Sequence, residues 1–167
     1  MKKLAAFLLF TIMVLAGCIN SNQTILIDTT ISFSIPQNIE LTIKDSINPK
    51  IWETSFKGDV ITVYKYSINL RDTIINDTLR QHFKKNVDAF LKPFDLKHID
   101  STYTFQEENF QNNLSFDYVS NGVEYKFFGK MVANRQNFIA FCFQTPFPID
   151  NYSISLKDKM FNSIKIR

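Results

Sequence analysis

Glycine is scarce in this chain, four among 167 residues, and none stands in the loop pattern that cradles a phosphate. Histidine is scarcer still, with His82 and His98 alone, which leaves little for a general base or a zinc site. No serine sits in the Gly-x-Ser-x-Gly setting of a nucleophile elbow. Charge of one sign is missing as well: 19 basic residues face 16 acidic ones with no basic stripe, which argues against a nucleic-acid surface. There is no internal repeat and no low-complexity segment. The one long apolar run, Leu4 to Val14 with Thr11 inside it, is too short for a comfortable membrane span.

That run nevertheless gives the chain an address. Lys2 and Lys3 precede it and Leu15-Ala16-Gly17-Cys18 closes it, the layout of a leader cleaved after small residues. The four closing residues resemble the lipobox of bacterial lipoproteins. The resemblance implies a diacylglycerol thioether on Cys18, removal of residues 1–17, and acylation (palmitate) of the new amino terminus. Each buried methylene contributes about 0.8 kcal/mol and one chain holds only marginally, so two or three chains would make attachment lasting. A plain secretory leader with a chance cysteine, or an N-terminal anchor helix, are the alternatives. Ile19 stands where an aspartate would resemble an inner-membrane retention signal, and no acidic run resembling a surface-export tag follows. The expected location is therefore the periplasmic face of the outer membrane.

Without residues 1–17, 150 residues remain, the size of one domain with a full core. Losing Lys2 and Lys3 takes the basic count from 19 to 17 against 16 acidic residues, a net charge of about +1. With Cys18 lipidated, Cys142 has no disulfide partner. It lies in Phe138-Ile139-Ala140-Phe141-Cys142-Phe143, a setting for a small buried hydrophobe rather than a reactive thiol.

Residues 18–23 read as a lipidated tether and residues 24–167 as the folded domain. Ile31, Phe33 and Ile35 alternate with serines up to Pro36, and Ile39, Leu41 and Ile43 repeat the period, both patterns of half-buried strands. Ile51 to Phe56 and Val60 to Ile68 form a strand pair around Lys57-Gly58-Asp59. Leu79, Phe83, Val87, Phe90 and Leu91 mark one face of a helix that Asn76 or Asp77 can cap and Pro93 stops. Strands follow through Tyr103 and Phe105, then Leu114, Phe116 and Tyr118, with Asn121-Gly122 as a hairpin turn into Val123, Tyr125 and Phe127. A further turn at Asn134 to Asn137 leads into Phe138 to Phe143, apolar at each position, which requires cover on both faces. Ile149, Tyr152, Leu156, Met160 and Ile164 recur at helical steps, giving a last helix expected to run to about Ile164.

The expected fold class is α+β, an antiparallel sheet flanked by helices in an α/β/α sandwich. This order of elements, with Ser34-Ile35-Pro36 ending an early strand, the helix at Leu79 to Leu91, the Asn121-Gly122 hairpin and a closing Met160-Phe161-Asn162-Ser163-Ile164, resembles the PsbP-like superfamily. That group includes extrinsic photosystem II subunits, a nuclear import factor that binds the Ran GTPase, and many bacterial lipoproteins. The resemblance implies a domain that docks to other proteins, and it transfers no functional residue.

Other candidate sites are sparse. His82 lies beside the apolar helix face, and His98 lies in a link between Asp95 and Asp100. Glu107-Glu108 are adjacent, so on a strand they would point to opposite faces and not share an ion. No catalytic residue, metal ligand or cofactor site is assigned. Asp45-Ser46, Asp72-Thr73 and Asp77-Thr78, each before an aliphatic residue, resemble bacteroidete O-glycosylation sites at Ser46, Thr73 and Thr78. The aromatic load, 15 Phe after Phe7 and Phe10 leave, 6 Tyr and Trp52, must be mostly core. Any aromatics exposed together, as near Phe94 or Phe147, would mark a docking patch. The expected function is a non-enzymatic envelope lipoprotein that binds a protein partner and holds to the membrane through Cys18. The alternative is a carrier of a small apolar ligand in a Phe-lined cavity between sheet and helix.

Overall fold

The structure, a computed structural model, describes residues 21–27, 29, 31–45, 47–68, 76–94, 96, 99–106 and 109–166. The expected lipid attachment at Cys18, and Ser46, Thr73, Asp95, His98, Glu107 and Glu108, lie outside them. Strands β1 (Asn22–Leu26), β2 (Ile31–Pro36), β3 (Thr42–Asp45), β4 (Lys50–Phe56) and β5 (Asp59–Ser67) come first. Helix α1 (Asn76–Leu91) and a short 3-10 turn (Lys92–Phe94) follow. Then come β6 (Asp100–Gln106), β7 (Asn109–Ser120), β8 (Val123–Ala133), β9 (Asn137–Pro146), helix α2 (Asn151–Asn162) and β10 (Lys165–Ile166). Seven strands form one antiparallel sheet in the order β3-β4-β5-β9-β8-β7-β6, and β1-β2-β10 form a second.

Strand β9 is the hub. Ile139, Phe141 and Phe143 point to one side, where they pack with Ile31, Phe33 and Ile35 of β2 and Leu156 and Met160 of α2. Phe138, Ala140 and Cys142 point to the other and pack with Leu79, Phe83 and Val87 of α1. Both covers that the apolar run requires are present. One of them, however, is a helix together with a three-stranded sheet rather than a helix alone. Phe33 meets Phe141 edge to face at 5.3 Å.

The two covers are offset. On the α2 side they reach from Trp52 of β4 to Phe128 and Val132 of β8. On the α1 side they reach from Tyr64 and Tyr66 of β5 to Tyr103 and Phe105 of β6. The α2-side face of β6 and β7 is therefore bare, and the sequence provides for it: Thr102, Thr104, Asn113 and Asp117 are exposed, while Phe110, Leu114 and Phe116 between them are buried on the α1 side.

Three sequence expectations shift. Asn22 and Gln23, read as tether, pair with Pro36 and Ile35; polar residues suit an edge strand with a solvated outer face. Ile39 is not in a strand: its N–H donates to the Pro36 carbonyl at 3.0 Å, its own carbonyl takes the Gln23 amide, and it is buried in the loop before β3. Helix α2 stops at Asn162, short of Ile164, because the Ser163 N–H closes the last turn on Lys159 and Met160 carbonyls. Ser163 Oγ accepts the Ser34 N–H at 2.7 Å, and Lys165 and Ile166 then turn back to pair with Ser32 and Ile31.

Helix α2 is held at both ends. Asp150 caps its start, accepting the Ser153 N–H at 2.6 Å, and Ser153 Oγ donates to the buried Asp59 carboxylate, 2.9 and 2.8 Å from its two oxygens. At its end Lys130 Nζ, whose pKa burial lowers, donates to the Phe161 carbonyl at 2.9 Å, one of the orphan acceptors a helix terminus leaves.

Phe141→Ala removes a fully buried ring from the junction of β9 and β2 and should cost roughly 3–5 kcal/mol; urea unfolding with an unchanged slope measures it. Asp150 is held below the usual carboxylate range, first by the Ser153 backbone N–H. Its stabilising effect is thus complete above the unfolded value of about 3.9 and is lost as pH falls through the lower folded value. Asp150→Asn should flatten that acid limb of a melting-temperature profile while leaving neutral pH nearly unchanged; an unaltered limb would disprove the assignment.

Candidate docking surface at the open end of the sheet

The most unusual surface is where the β7–β8 hairpin overhangs its neighbour. Strand β6 pairs with β7 only from Gln106↔Asn109 to Asp100↔Ser115, while β7 runs on with β8 to Ser120↔Val123. Phe116 to Ser120 therefore have a strand on one side only among the described residues. The turn that closes the hairpin is Asn121-Gly122, with φ of 51° and 76°, the two positive values that a two-residue hairpin of this twist requires. A Cβ on Gly122 would meet nothing within 4 Å, so conformation and not space selects glycine there.

A two-residue turn makes Ser120↔Val123 a hydrogen-bonded pair, and bonded and non-bonded pairs alternate from it along an antiparallel ladder. Tyr118 and Phe116 thus bond to β8, and the main-chain N–H and C=O of Asp117 and Val119 point away from it. The β8 side agrees with this phase: Glu124, opposite Val119, turns its carbonyl to β9, where it takes the Phe147 N–H at 2.9 Å.

Side chains at this end are apolar and exposed. Val119 is 69% exposed, Val123 41% and Phe147 39%. Tyr118 and Tyr125 stack at 5.4 Å, and the Tyr118 hydroxyl donates to Gln144. Burial first, and the neighbouring Tyr125 second, raise the Tyr118 pKa, so the phenol stays protonated. A cavity of about 730 Å³ lies along the open edge, lined by Phe94, Leu96, Asp100, Phe116, Asp117 and Tyr118 among others. Its walls differ in kind. The α1 side presents aromatic rings, with Phe94 5.4 Å from Phe116 and 5.7 Å from Phe127. The other side presents exposed Asp100 and Asp117, the latter paired with Lys126 at 2.9 Å.

Of the two aromatics singled out from the sequence, Phe147 belongs to the exposed end, whereas Phe94 is half-buried and walls the cavity. His82 is exposed on α1. Thr78 is half-buried in the first turn of α1. Among the described residues, no three His, Cys, Asp or Glu side chains converge as a metal site. Space between α1 and the sheet is taken by rings: Phe83 alone meets Tyr103, Phe105, Phe110 and Phe138 at 5.9–6.4 Å. A cavity at the margin of that interface, by Tyr66, Ala89, Phe90 and Phe138, holds about 250 Å³, below the ~300–1,000 Å³ usual for ligand sites. The open edge was not read from the sequence, because it depends on where β6 stops in register against β7.

No family model matches the chain and no curated protein matches it by sequence. Solved structures do match. A Bacteroides thetaiotaomicron protein superposes with a TM-score of 0.51 at 10% identity over 82% of this chain, which spans only 45% of that protein. The Saccharomyces cerevisiae Ran-binding protein Mog1p superposes with a TM-score of 0.51 at 8% identity, over 87% of this chain and 95% of Mog1p. The α+β architecture, an antiparallel sheet flanked by helices, is shared with Mog1p at the level of the fold. Cyanobacterial PsbP from Synechocystis aligns over 89% of this chain and 94% of its own, at 13% identity and a TM-score of 0.48. Identities this low carry architecture and no residue roles.

Cys142 is 1% exposed and burial pushes its thiol pKa well up, so it should be inert. In a Cys18→Ala chain, a thiol reagent should label nothing until denaturant is added. Labelling at the rate of a free cysteine in native buffer would show that β9 opens.

Proposed function

We propose that this protein is a non-enzymatic docking module of the cell envelope, anchored by lipid on Cys18 to the periplasmic face of the outer membrane, that binds a protein partner with the open end of its sheet. The observation that carries this reading is that Val119, Val123 and Phe147 are exposed at one end of the sheet, beside a strand edge that is unpaired among the described residues. Apolar side chains rimmed by polar ones are the mark of an interaction surface. That Mog1p is a Ran-binding protein agrees with this at the level of the fold alone. The Cys18 lipid supplies the address, and the overhanging hairpin supplies the contact.

The test is photocrosslinking in the native envelope. A benzophenone side chain at Val123 should give one discrete protein adduct, and the same group at Lys85, on the exposed face of α1, should give none. The adduct should be lost with Cys18→Ala, which should also lose metabolic labelling with an alkyne palmitate. Equal adducts at Val123 and Lys85, or none at either, would sink the docking reading; palmitate labelling that survives Cys18→Ala would sink the anchor.

A further inference from the structure

Among the described residues, the main chain of Asp117 and Val119 leaves two donors and two acceptors unpaired on an edge that spans five residues, about 17 Å at ~3.4 Å per residue. Natural edges are usually blunted by charge, by bulges or by shortness. The other exposed edges of the large sheet follow that rule. Strand β3 is four residues long, slips register between Ile43 and Asp45, and carries Lys44 3.9 Å from Glu53. Along β6, Arg80 and Lys84 of α1 lie over the rings of Phe105 and Tyr103, 5.5–5.8 Å from their centroids. The Phe116 to Ser120 edge has no bulge, and its one charge, Asp117, is neutralised by Lys126. It is recessed beside Phe94 and Leu96, so it admits a single strand more readily than a sheet.

We propose that an extended segment of a protein partner adds to this edge as a further strand, in line with β6, alternating apolar side chains toward Phe94, Phe116 and Tyr118 with basic ones toward Asp100. Main-chain bonds to Asp117 and Val119 supply registry. The alternation follows from the period of two in any strand, which sends successive side chains of the incoming segment to walls of opposite character. The basic preference follows from charge: Asp100 is exposed and makes no ion pair with a described residue. This inference rests on the docking reading, and it specifies how the partner is held.

The test uses the full lipidated chain in detergent micelles and a fluorescent synthetic peptide of alternating lysine and valine, read by anisotropy. The peptide should bind more tightly than one of alternating glutamate and valine, and the preference should shrink with salt. Methylating the peptide amides that face the edge removes two main-chain bonds and should weaken binding about tenfold. Val119→Pro deletes an edge N–H, the one place a strand tolerates proline, and should weaken binding similarly, whereas Lys85→Ala on the exposed face of α1 should change it little. Thermal melts report whether either variant is folded, and the methylated peptide gives the same answer in the native protein. If the methylated peptide binds as well as its parent, or if the alternating peptides do not bind while the Val123 crosslink persists, strand addition is wrong and the partner docks by side chains alone. If the Val123 crosslink is also missing, the docking reading itself falls.

Discussion

A strand with apolar side chains on both faces cannot be satisfied by one layer, and β9 imposes that constraint on the whole chain. Phe138 to Phe143 alternate between two cores that share no side chain. Each burial removes a large apolar surface from water at about 25 cal/mol per Å², so neither face can be left open at tolerable cost. Helix α1 answers one face. The other is answered jointly by α2 and β2, with Phe33, Leu156 and Met160 meeting the same strand. The capping of α2 by Asp150, the buried contact between Ser153 and Asp59, and the seat of Lys130 on the Phe161 carbonyl all fix the position of that second cover.

Because the covers are centred on β9 and are offset from each other, the sheet margins are finished by sequence rather than by packing. Strand β7 shows how. Its buried residues alternate with Gln111, Asn113, Ser115 and Asp117, so the bare side needs no cover. At its far end the same strand outlasts β6, and there the finish changes to valine and aromatic side chains next to main chain that is unpaired among the described residues. A surface that departs from the rule followed elsewhere in the same sheet is where a binding function is most economically sought.

Much of this architecture was legible in the residues. The period of α1 and the Asn-Gly turn are local signals, and the unbroken apolar run of β9 announces burial on both faces whatever the tertiary context. What escaped is what local pattern does not encode. Strand β1 is polar and short, and β10 has two residues; both are strands only because β2 lies between them. Ile39 kept the strand period yet folded into a loop, since its main chain bonds to Pro36 and Gln23 rather than to a ladder. The open edge is a relation between the lengths of two strands, visible only when their register is known. The lipid attachment expected at Cys18 lies outside the described residues, so packing has no bearing on it.

The small sheet joins segments made far apart in time. Ser34 bonds to a serine 129 positions further on, and β2 gains its second neighbour only when Lys165 and Ile166 arrive. Ile31, Phe33 and Ile35 therefore leave the ribosome among the first residues of the domain, but their core is the last to be completed. Such long-range closure is slow, and this core cannot be completed before Lys165 and Ile166 are made.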